Sequence, residues 1–384
     1  GAGRMSAGSV GERERLARVA LSRLTEPGDR RLLTLVSELD AVTVYEHLRA
    51  ERELGGAATD LATRLGGIDP VRALEQAATQ SIRFVVPGDA EWPPRLDDLA
   101  DAEPLQERGG TPLGLWVRGP LDLASTSRSV AVVGARSATT YGCSVATEIG
   151  ATCVRAGWPV VSGAAIGIDQ AAHRGALGQD GPTVAVLACG VDRPYPVEHT
   201  SLIRLVATTG AVVSEAAPGW APSRVRFLAR NRLIAALAGG TVIVEAAIRS
   251  GALNTANWAD RLSRTVMGVP GPVTSAQSAG VHQLLRRGAS LVTSGAEVLE
   301  LVDGSGAHLL EEARAPEKAR DTLSVRQRQV LDAVPVTRGA EADSISRTAG
   351  VGLVEVRSTL GRLAARGLVQ RTPTGWRVGE AADD

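Results

Sequence analysis

The 384-residue sequence predicts an α/β fold: a doubly wound, mostly parallel sheet, preceded by a small helical domain and followed by a winged helix. Short apolar runs alternate with helix-length segments between residues 129 and 272. Runs of this kind are typical of parallel strands that are buried on both faces. Several of them end in small-residue turns rich in glycine. Strand, glycine turn and helix in repetition are the pattern of nucleotide-binding α/β sheets.

The first repeat of this pattern predicts a phosphate site. A strand is predicted at Val130–Val133, and the turn Gly134-Ala135-Arg136 follows it. A helix then leads to a second strand at 158–161 and a second turn at 162–167. Both turns are expected at the carboxyl edge of the sheet, where backbone N–H groups and helix N-termini favour anions. Arg136 adds a permanent charge suited to phosphate oxygens, whereas the plainer interpretation is that the glycines only permit tight turns.

The other predicted strands repeat this pattern along the chain. Four more are expected in the sheet, at 183–190, 211–215, 241–245 and 265–269. Two further ones, a short strand running into a turn at 83–88 and another at 114–119, are expected to extend the edge of the sheet or to lead into it. Alternation with helices makes the sheet doubly wound.

The densest basic segment of the core spans residues 224–234. It contains four arginines and one phenylalanine: Arg224, Arg226, Arg230, Arg232 and Phe227. Phosphate contacts together with one stacking ring suit single-stranded nucleic acid. An amphipathic helix with a solvated basic face has the same composition, so both interpretations stay open.

The flanking segments differ from the core. Residues 12–78 have helical periodicity, and residues 304–321 are polar without periodicity, which is typical of a linker. Residues 323–378 predict three helices and a hairpin, the elements of a winged helix, which contacts DNA in some proteins and protein in others. The predicted division is a helical domain at 1–80, a sheet core at 81–303, a linker at 304–321 and a winged helix at 322–384.

The composition is that of a globular protein of a reducing compartment. The formal net charge is zero, with 44% hydrophobic and 22% charged residues. No apolar run approaches the ~20 residues of a membrane helix, and the start is not a signal peptide, so we expect a cytoplasmic protein without a membrane partner. Cys143, Cys153 and Cys189 lack metal-ligand spacing and are expected in the core.

Several segments together resemble the signature motifs of the DprA/Smf family (DNA-processing protein A). The first is Gly134-Ala135-Arg136 with Tyr141-Gly142, and the others, in family order, are at 162–177, 185–196, 230–237, 242–256 and 269–272. The flanks agree with the resemblance, because an N-terminal helical domain of sterile-alpha-motif type and a C-terminal winged helix both occur in that family. His199 departs from the pattern, since the family tends to have Asn after the Tyr-Pro pair.

The resemblance implies a Rossmann-like core that binds single-stranded DNA and a protein that loads the RecA recombinase in natural transformation. It further implies a homodimer that needs no cofactor and is not an enzyme. The residues implied in DNA binding belong to the two turns and to the Arg-Asn-Arg motif of the family: Gly134, Arg136, Ser137, Ser162, Gly163, Gly167, Arg230, Asn231 and Arg232.

Three enzymatic or regulatory interpretations compete with this one. Asp169 and His173 have the i, i+4 spacing of an acid–base pair, but we expect a helix-capping carboxylate and a packed imidazole. Gly239-Gly240-Thr241 before Glu245 is similar to a signature of nucleoside-monophosphate phosphoribohydrolases, although the full motif order is not reproduced. The third is a winged-helix transcription regulator with a nucleotide-sensing core.

Overall fold

The structure is a computed structural model, and it describes residues 10–53, 59–303 and 319–379. The chain divides into two compact units, Gly1–Leu310 and Glu311–Asp384. The predicted linker lies outside the described residues from 304 to 318. Within the described ranges, no helix has both the length and the apolar character that crossing a bilayer requires.

The first unit begins with helices that pack on one another and on the sheet. Before residue 80 the described residues form α1 (Glu12–Ser22), α2 (Arg30–Leu39), α3 (Ala41–Glu53), α4 (Asp60–Leu65) and α5 (Pro70–Thr79). Val19 of α1 and Ala77 of α5 lie in one buried cluster with Phe84 and Trp116, which belong to strands of the sheet. These helices therefore share a core with the sheet, and a domain boundary at residue 80 stays a prediction.

The sheet is the centre of the first unit. Its strands are β1 (Ile82–Val85), β2 (Leu115–Arg118), β3 (Val130–Val133), β4 (Val160–Ser162), β5 (Thr183–Val186), β6 (Ala211–Ser214), β7 (Gly240–Ile243), β8 (Thr265–Gly268) and β9 (Ser290–Leu291). Their spatial order is β1-β2-β6-β5-β4-β3-β7-β8-β9. The pairs from β6 to β9 are parallel, while β1 and β2 extend one edge in antiparallel fashion. The predicted doubly wound, mostly parallel sheet is confirmed.

Helices cover both faces of this sheet. They are α6 (Thr140–Arg155), α7 (Ile168–Leu177), α8 (Thr200–Thr209), α9 (Arg224–Leu237), α10 (Gly251–Arg261), α11 (Ala279–Arg286) and α12 (Gly295–Val302). Side chains alternate along β3, so that Val132 packs with α6 and α7 while Val133 packs with α9 and α10. Because β3 lies between β4 and β7, the strand order reverses there, and a crevice opens beyond the carboxyl ends of β3 and β7.

The second unit contains the elements predicted for a winged helix. Helices α13 (Val325–Asp332), α14 (Ala342–Ala349) and α15 (Leu353–Ala365) precede the antiparallel hairpin of β10 (Val369–Thr372) and β11 (Gly375–Val378). The inward residues of α15 are Val356, Leu360 and Leu363, at helical spacing. The described residues 319–379 therefore have a hydrophobic core of their own.

Candidate nucleic-acid interface

A positively charged cleft of about 650 Å³ lies beyond the carboxyl ends of β3 and β7, against the N-terminal half of α9. Among the described residues that line it, the charged ones are Arg136, Arg224, Arg230, Arg249 and Asp169. Asp169 is 5% exposed, whereas Arg136, Arg224 and Arg249 are exposed. The accessible charge of the cleft is therefore positive, and anions are its natural ligands.

The turn after β3 leaves backbone donors free. A Cβ on Gly134 would lie 2.6 Å from Cγ1 of Ile168, so a side chain does not fit there. The carbonyl of Ala135 accepts a hydrogen bond of 3.2 Å from the amide of Ile168. The next amides, of Arg136 and Ser137, are hydrogen-bonded to no atom of the described residues. Two unpaired N–H groups beside a guanidinium are an arrangement that binds phosphate.

Aromatic rings lie beside these donors. The Cζ atom of Arg136 is 5.0 Å from the ring centre of Phe227, and that of Arg230 is 5.7 Å from it. The ring of Tyr195, which is 41% exposed, lies 5.9 Å from the same centre. The ring of Phe227 thus holds the guanidinium of Arg136 at the cleft, and the exposed ring of Tyr195 next to it offers a stacking surface for bases.

The second predicted turn supports the first. The hydroxyl of Ser162 is buried and donates to the carbonyl of Val132 at 2.6 Å. The amide of Gly163 donates to Asp169 at 3.1 Å. Gly167 has φ +89°, and a Cβ there would lie 2.3 Å from the carbonyl oxygen of Ala135. Phosphate contacts by Ser162, Gly163 and Gly167 stay predictions, since the polar groups of the first two are occupied inside the protein.

His199, which departs from the family pattern, also supports this turn. Its ring is buried, and Nδ1 lies 2.9 Å from the carbonyl oxygen of Ala164. Nδ1–H of His199, which follows β5 in the chain, therefore donates to the second turn and helps to hold it in place.

Arg230 and Asn231 lie in the wall of the cleft. Arg230 is 7% exposed, and its Nη1 donates to the carbonyls of Gly163 at 2.7 Å and Val186 at 2.8 Å. Burial lowers the pKa of Arg230, while the nearby Asp169 carboxylate opposes the shift. The Asn231 amide donates to Oδ1 of Asn254 at 3.1 Å.

Arg232 is directed away from the cleft and into the protein. Its two terminal nitrogens donate to the two carboxylate oxygens of Glu215, at 2.6 and 2.8 Å, and its side chain is fully buried. Residues two apart on a helix project to opposite sides, so Arg230 and Arg232 cannot face the same ligand. DNA contact by Arg232 stays a prediction, and Glu215 already satisfies the guanidinium.

Other lining residues were not singled out from the sequence. The exposed Arg249 precedes the N-terminus of α10, where the hydroxyl of Ser250 accepts from the amide of Ala252 at 3.3 Å. Gln277 donates to the hydroxyl of Ser137 at 2.8 Å. The sequence did contain a signal for Arg249, because it lies in the turn between β7 and α10, just as Arg136 lies in the turn between β3 and α6. Gln277 carries no such signal.

The candidate acid–base residues have structural roles. Asp169 accepts backbone hydrogen bonds at the start of α7, and Nδ1 of His173 lies 2.8 Å from the hydroxyl of Thr183. The packed imidazole agrees with the expectation. Asp169 does not cap α7, which has no side-chain cap hydrogen bond, because its carboxylate accepts instead from amides of the turn that precedes the helix. Glu245 is 3% exposed, and its two carboxylate oxygens accept from the amide and hydroxyl of Thr139 at 2.8 and 2.6 Å. In the part of the chain that the structure describes, no group of three or more His, Cys, Asp or Glu side chains is placed to hold a metal ion.

Comparison with known proteins agrees with the motifs. The family model described as DNA recombination-mediator protein A matches residues 83–303. The putative DNA processing protein DprA of Mycobacterium tuberculosis is 42% identical over 365 residues, which cover 93% of this chain and 92% of the relative. DNA processing protein DprA of Streptococcus pneumoniae is 38% identical over 54% of this chain and 73% of its own length.

Solved structures are similar as well. The X-ray structure of DprA from Streptococcus pneumoniae superposes with a TM-score of 0.62 at 30% identity, covering 77% of this chain and 100% of that one. DNA processing protein A from Helicobacter pylori, a structure reported for its single-stranded DNA binding mode, has a TM-score of 0.50 at 26% identity over 57% of this chain and 94% of its own. The chain thus belongs to the DNA recombination-mediator protein A family, the DprA/Smf proteins that its motifs resemble.

Proposed function

We propose that this chain binds single-stranded DNA in the cleft described above and loads RecA recombinase onto the strand, without catalytic turnover. The observation that supports binding best is the exposed guanidinium of Arg136 beside the unpaired amides of Arg136 and Ser137. These groups contact phosphate, which every nucleotide carries, so we expect little sequence selectivity.

A single strand suits this cleft better than a duplex. Its backbone is flexible enough to present successive phosphates to Arg136 and Arg249, which both line the cleft. Its unpaired bases have open faces that can stack on Tyr195, next to Phe227. A duplex keeps its base faces inside the helix and offers only its backbone.

RecA loading and dimerisation rest on the family. A relative from Helicobacter pylori was studied for its single-stranded DNA binding mode, which is consistent with a strand-binding role here. A loader has to hold several sites along one strand, and two copies of the cleft in a homodimer would provide them. We place this activity in the cytoplasm, where RecA acts on DNA.

The enzymatic alternative lacks an available carboxylate. A phosphoribohydrolase needs a glutamate that faces its substrate, and the carboxylate of Glu245 is buried against Thr139. The regulatory alternative would require the second unit to recognise a duplex sequence. Incubation with nucleoside monophosphates and measurement of released ribose 5-phosphate tests the enzyme, and release above background would contradict a non-catalytic role.

Competition between labelled oligonucleotides tests the binding proposal. The full-length protein is titrated with a single strand, and unlabelled single-stranded and duplex competitors of equal length and mixed sequence displace it. We expect the single strand to compete much better. Equal or better competition by the duplex would contradict the proposal.

RecA loading needs a separate measurement. RecA ATP hydrolysis on a strand precoated with single-strand-binding protein reports filament formation, and the present protein is expected to shorten the lag. An unchanged lag with intact strand binding would contradict loading alone. Sedimentation that detects only monomers in a preparation with full loading activity would contradict the homodimer.

A further inference from the structure

Asp169 is a buried carboxylate that the proposed function does not use. It is the second residue of α7 and is 5% exposed. Its Oδ2 accepts hydrogen bonds from the amides of Gly163 at 3.1 Å and Ala165 at 3.4 Å. The nearby backbone of Gly134 also acts to lower the pKa of this carboxyl group. This side chain therefore fixes the turn after β4, and it lines the same cleft as Gly134 of the turn after β3.

The N-terminus of α7 also supports the first turn directly. The amide of Ile168 donates to the carbonyl of Ala135 at 3.2 Å. A Cβ on Gly167 would lie 2.3 Å from the carbonyl oxygen of Ala135 and 2.6 Å from that of Arg136. The backbone that carries Arg136 thus packs directly against the N-terminus of α7, so closely that a side chain does not fit at Gly167.

The charge of Asp169 acts against anion binding, while its geometry favours it. A negative charge below a phosphate site repels the ligand, and Arg230 compensates for it inside the protein. Burial raises the pKa of Asp169, and Arg230 and the neighbouring backbone oppose that shift. The two effects on the ligand have opposite signs, so a substitution can separate them.

We infer that Asp169 is a positioning residue of the single-strand site: it fixes the turn after β4 against the start of α7, and α7 holds Ala135 so that the following amides and Arg136 meet the phosphate. This role rests on the proposed function, since it concerns the affinity of the same cleft. The amides of Gly163 and Ala165 are engaged by the carboxylate, whereas those of Arg136 and Ser137 are hydrogen-bonded to none of the described residues and stay available to the ligand.

Asp169→Asn tests the inference in the full chain. Asparagine has the same shape but replaces one acceptor with an N–H₂ group that faces backbone donors. Affinity for a labelled single strand is expected to fall about tenfold or more, although the cleft becomes more positive. The slope of log affinity against log salt is expected to fall by about one phosphate contact.

The matched control is Asp180→Asn, because Asp180 is exposed and follows the far end of α7. It removes the same charge, and its affinity and salt slope are expected to equal those of the wild type. A folded Asp169→Asn protein that binds as tightly as the wild type, or more tightly, with an unchanged slope overturns the inference. Failure of the wild type to bind any single strand instead contradicts the proposed function, and the role of Asp169 with it.

Two further measurements keep the test open if Asp169→Asn does not fold. Gly167→Ala displaces the same turn from the other side without changing charge, with Gly178→Ala as its control, and wild-type affinity and slope in Gly167→Ala overturn the inference. In the wild type, hydrogen exchange is expected to be slower at the amides of Gly163 and Ala165 than at those of Arg136 and Ser137. Equal exchange rates overturn it as well.

Discussion

The guanidinium of Arg136 lies over the ring of Phe227, with 5.0 Å between Cζ and the ring centre. The two side chains belong to different parts of the chain, the turn after β3 and the helix α9. Their contact orders an otherwise exposed arginine at the cleft, so less side-chain entropy is lost when a phosphate binds.

Arg136→Ala is expected to weaken single-strand binding by about 1.5–3 kcal/mol, the range of a charge-assisted hydrogen bond. The salt dependence should fall by about one phosphate contact. Titration of a labelled oligonucleotide at two or more salt concentrations measures both. Arg155→Ala is the matched control, because Arg155 is an exposed arginine in the last turn of α6, which runs away from the carboxyl edge of the sheet. Equal affinities and slopes for the two variants would show that Arg136 contacts no phosphate.

Arg232→Ala is expected to reduce stability rather than affinity. It leaves the buried carboxylate of Glu215 without its partner, and breaking a buried pair in this way costs about 3–5 kcal/mol. Thermal or denaturant unfolding of the full chain measures the loss. Arg64→Ala is the control, since the Arg64–Asp60 pair is exposed and contributes about 0.5 kcal/mol or less. A folded Arg232→Ala protein with full stability and weak strand binding would restore Arg232 to the DNA site.

The buried neutral imidazole of His173 is expected to make the free energy of unfolding smaller at acidic pH. The hydroxyl of Thr183 donates to the carbonyl of Val160, so it accepts from Nδ1–H of His173. Nε2 is buried without a partner in the described residues, and burial lowers the pKa of His173 from 6.5 to about 3. Between these two values the unfolded chain binds more protons than the folded one, so this term makes stability fall as pH falls, by about 1.4 kcal/mol per pH unit.

The comparison with His173→Leu isolates that proton. Urea unfolding at pH 7, 6 and 5 measures the free energy of unfolding of both proteins. The free energy of unfolding of the wild type minus that of the leucine variant is expected to decrease as the pH falls, because the variant has no imidazole to protonate. A difference that does not change with pH would contradict the low pKa.

A chain that ends at residue 303 is expected to keep most of its single-strand affinity. The cleft lies within the first unit, and the second unit has its own core. If the second unit adds only electrostatic attraction, its removal lowers affinity modestly, and the loss shrinks as salt is raised. If it recognises duplex, its removal abolishes duplex binding and leaves strand binding unchanged. Loss of strand binding by a folded 1–303 protein would contradict placing the site in the core.

The helices before residue 81 cannot be removed in the same way as the second unit. Val19 and Ala77 are buried in one cluster with Phe84 and Trp116, so a fragment beginning at residue 81 would lose part of the core around these two aromatic side chains. Helical periodicity in 12–78 predicts that these helices have an apolar face, but it does not identify the surface that covers it. For that reason the packing of α1 and α5 on the sheet could not be predicted.

The strands were more predictable than the contacts of the arginines. The apolar run at Val130–Val133 matches β3 residue for residue, since Ser129 and Gly134 bound it on both sides. By contrast, β9 has only two residues and no pattern of its own. The basic segment predicted a helix with cationic residues, but arginine is seldom fully buried, and composition does not tell which arginine pairs with Glu215.

Arg232 is buried whereas Arg136 is exposed, and this contrast has a consequence for genetics. Variants at Arg232 or Glu215 would lower the amount of folded protein in the cell through proteolysis, because stability sets the unfolded fraction that proteases remove. Variants at Arg136 would leave the cellular amount unchanged and reduce strand binding alone. A screen that scored recombination without measuring protein abundance would assign all three residues to the same surface.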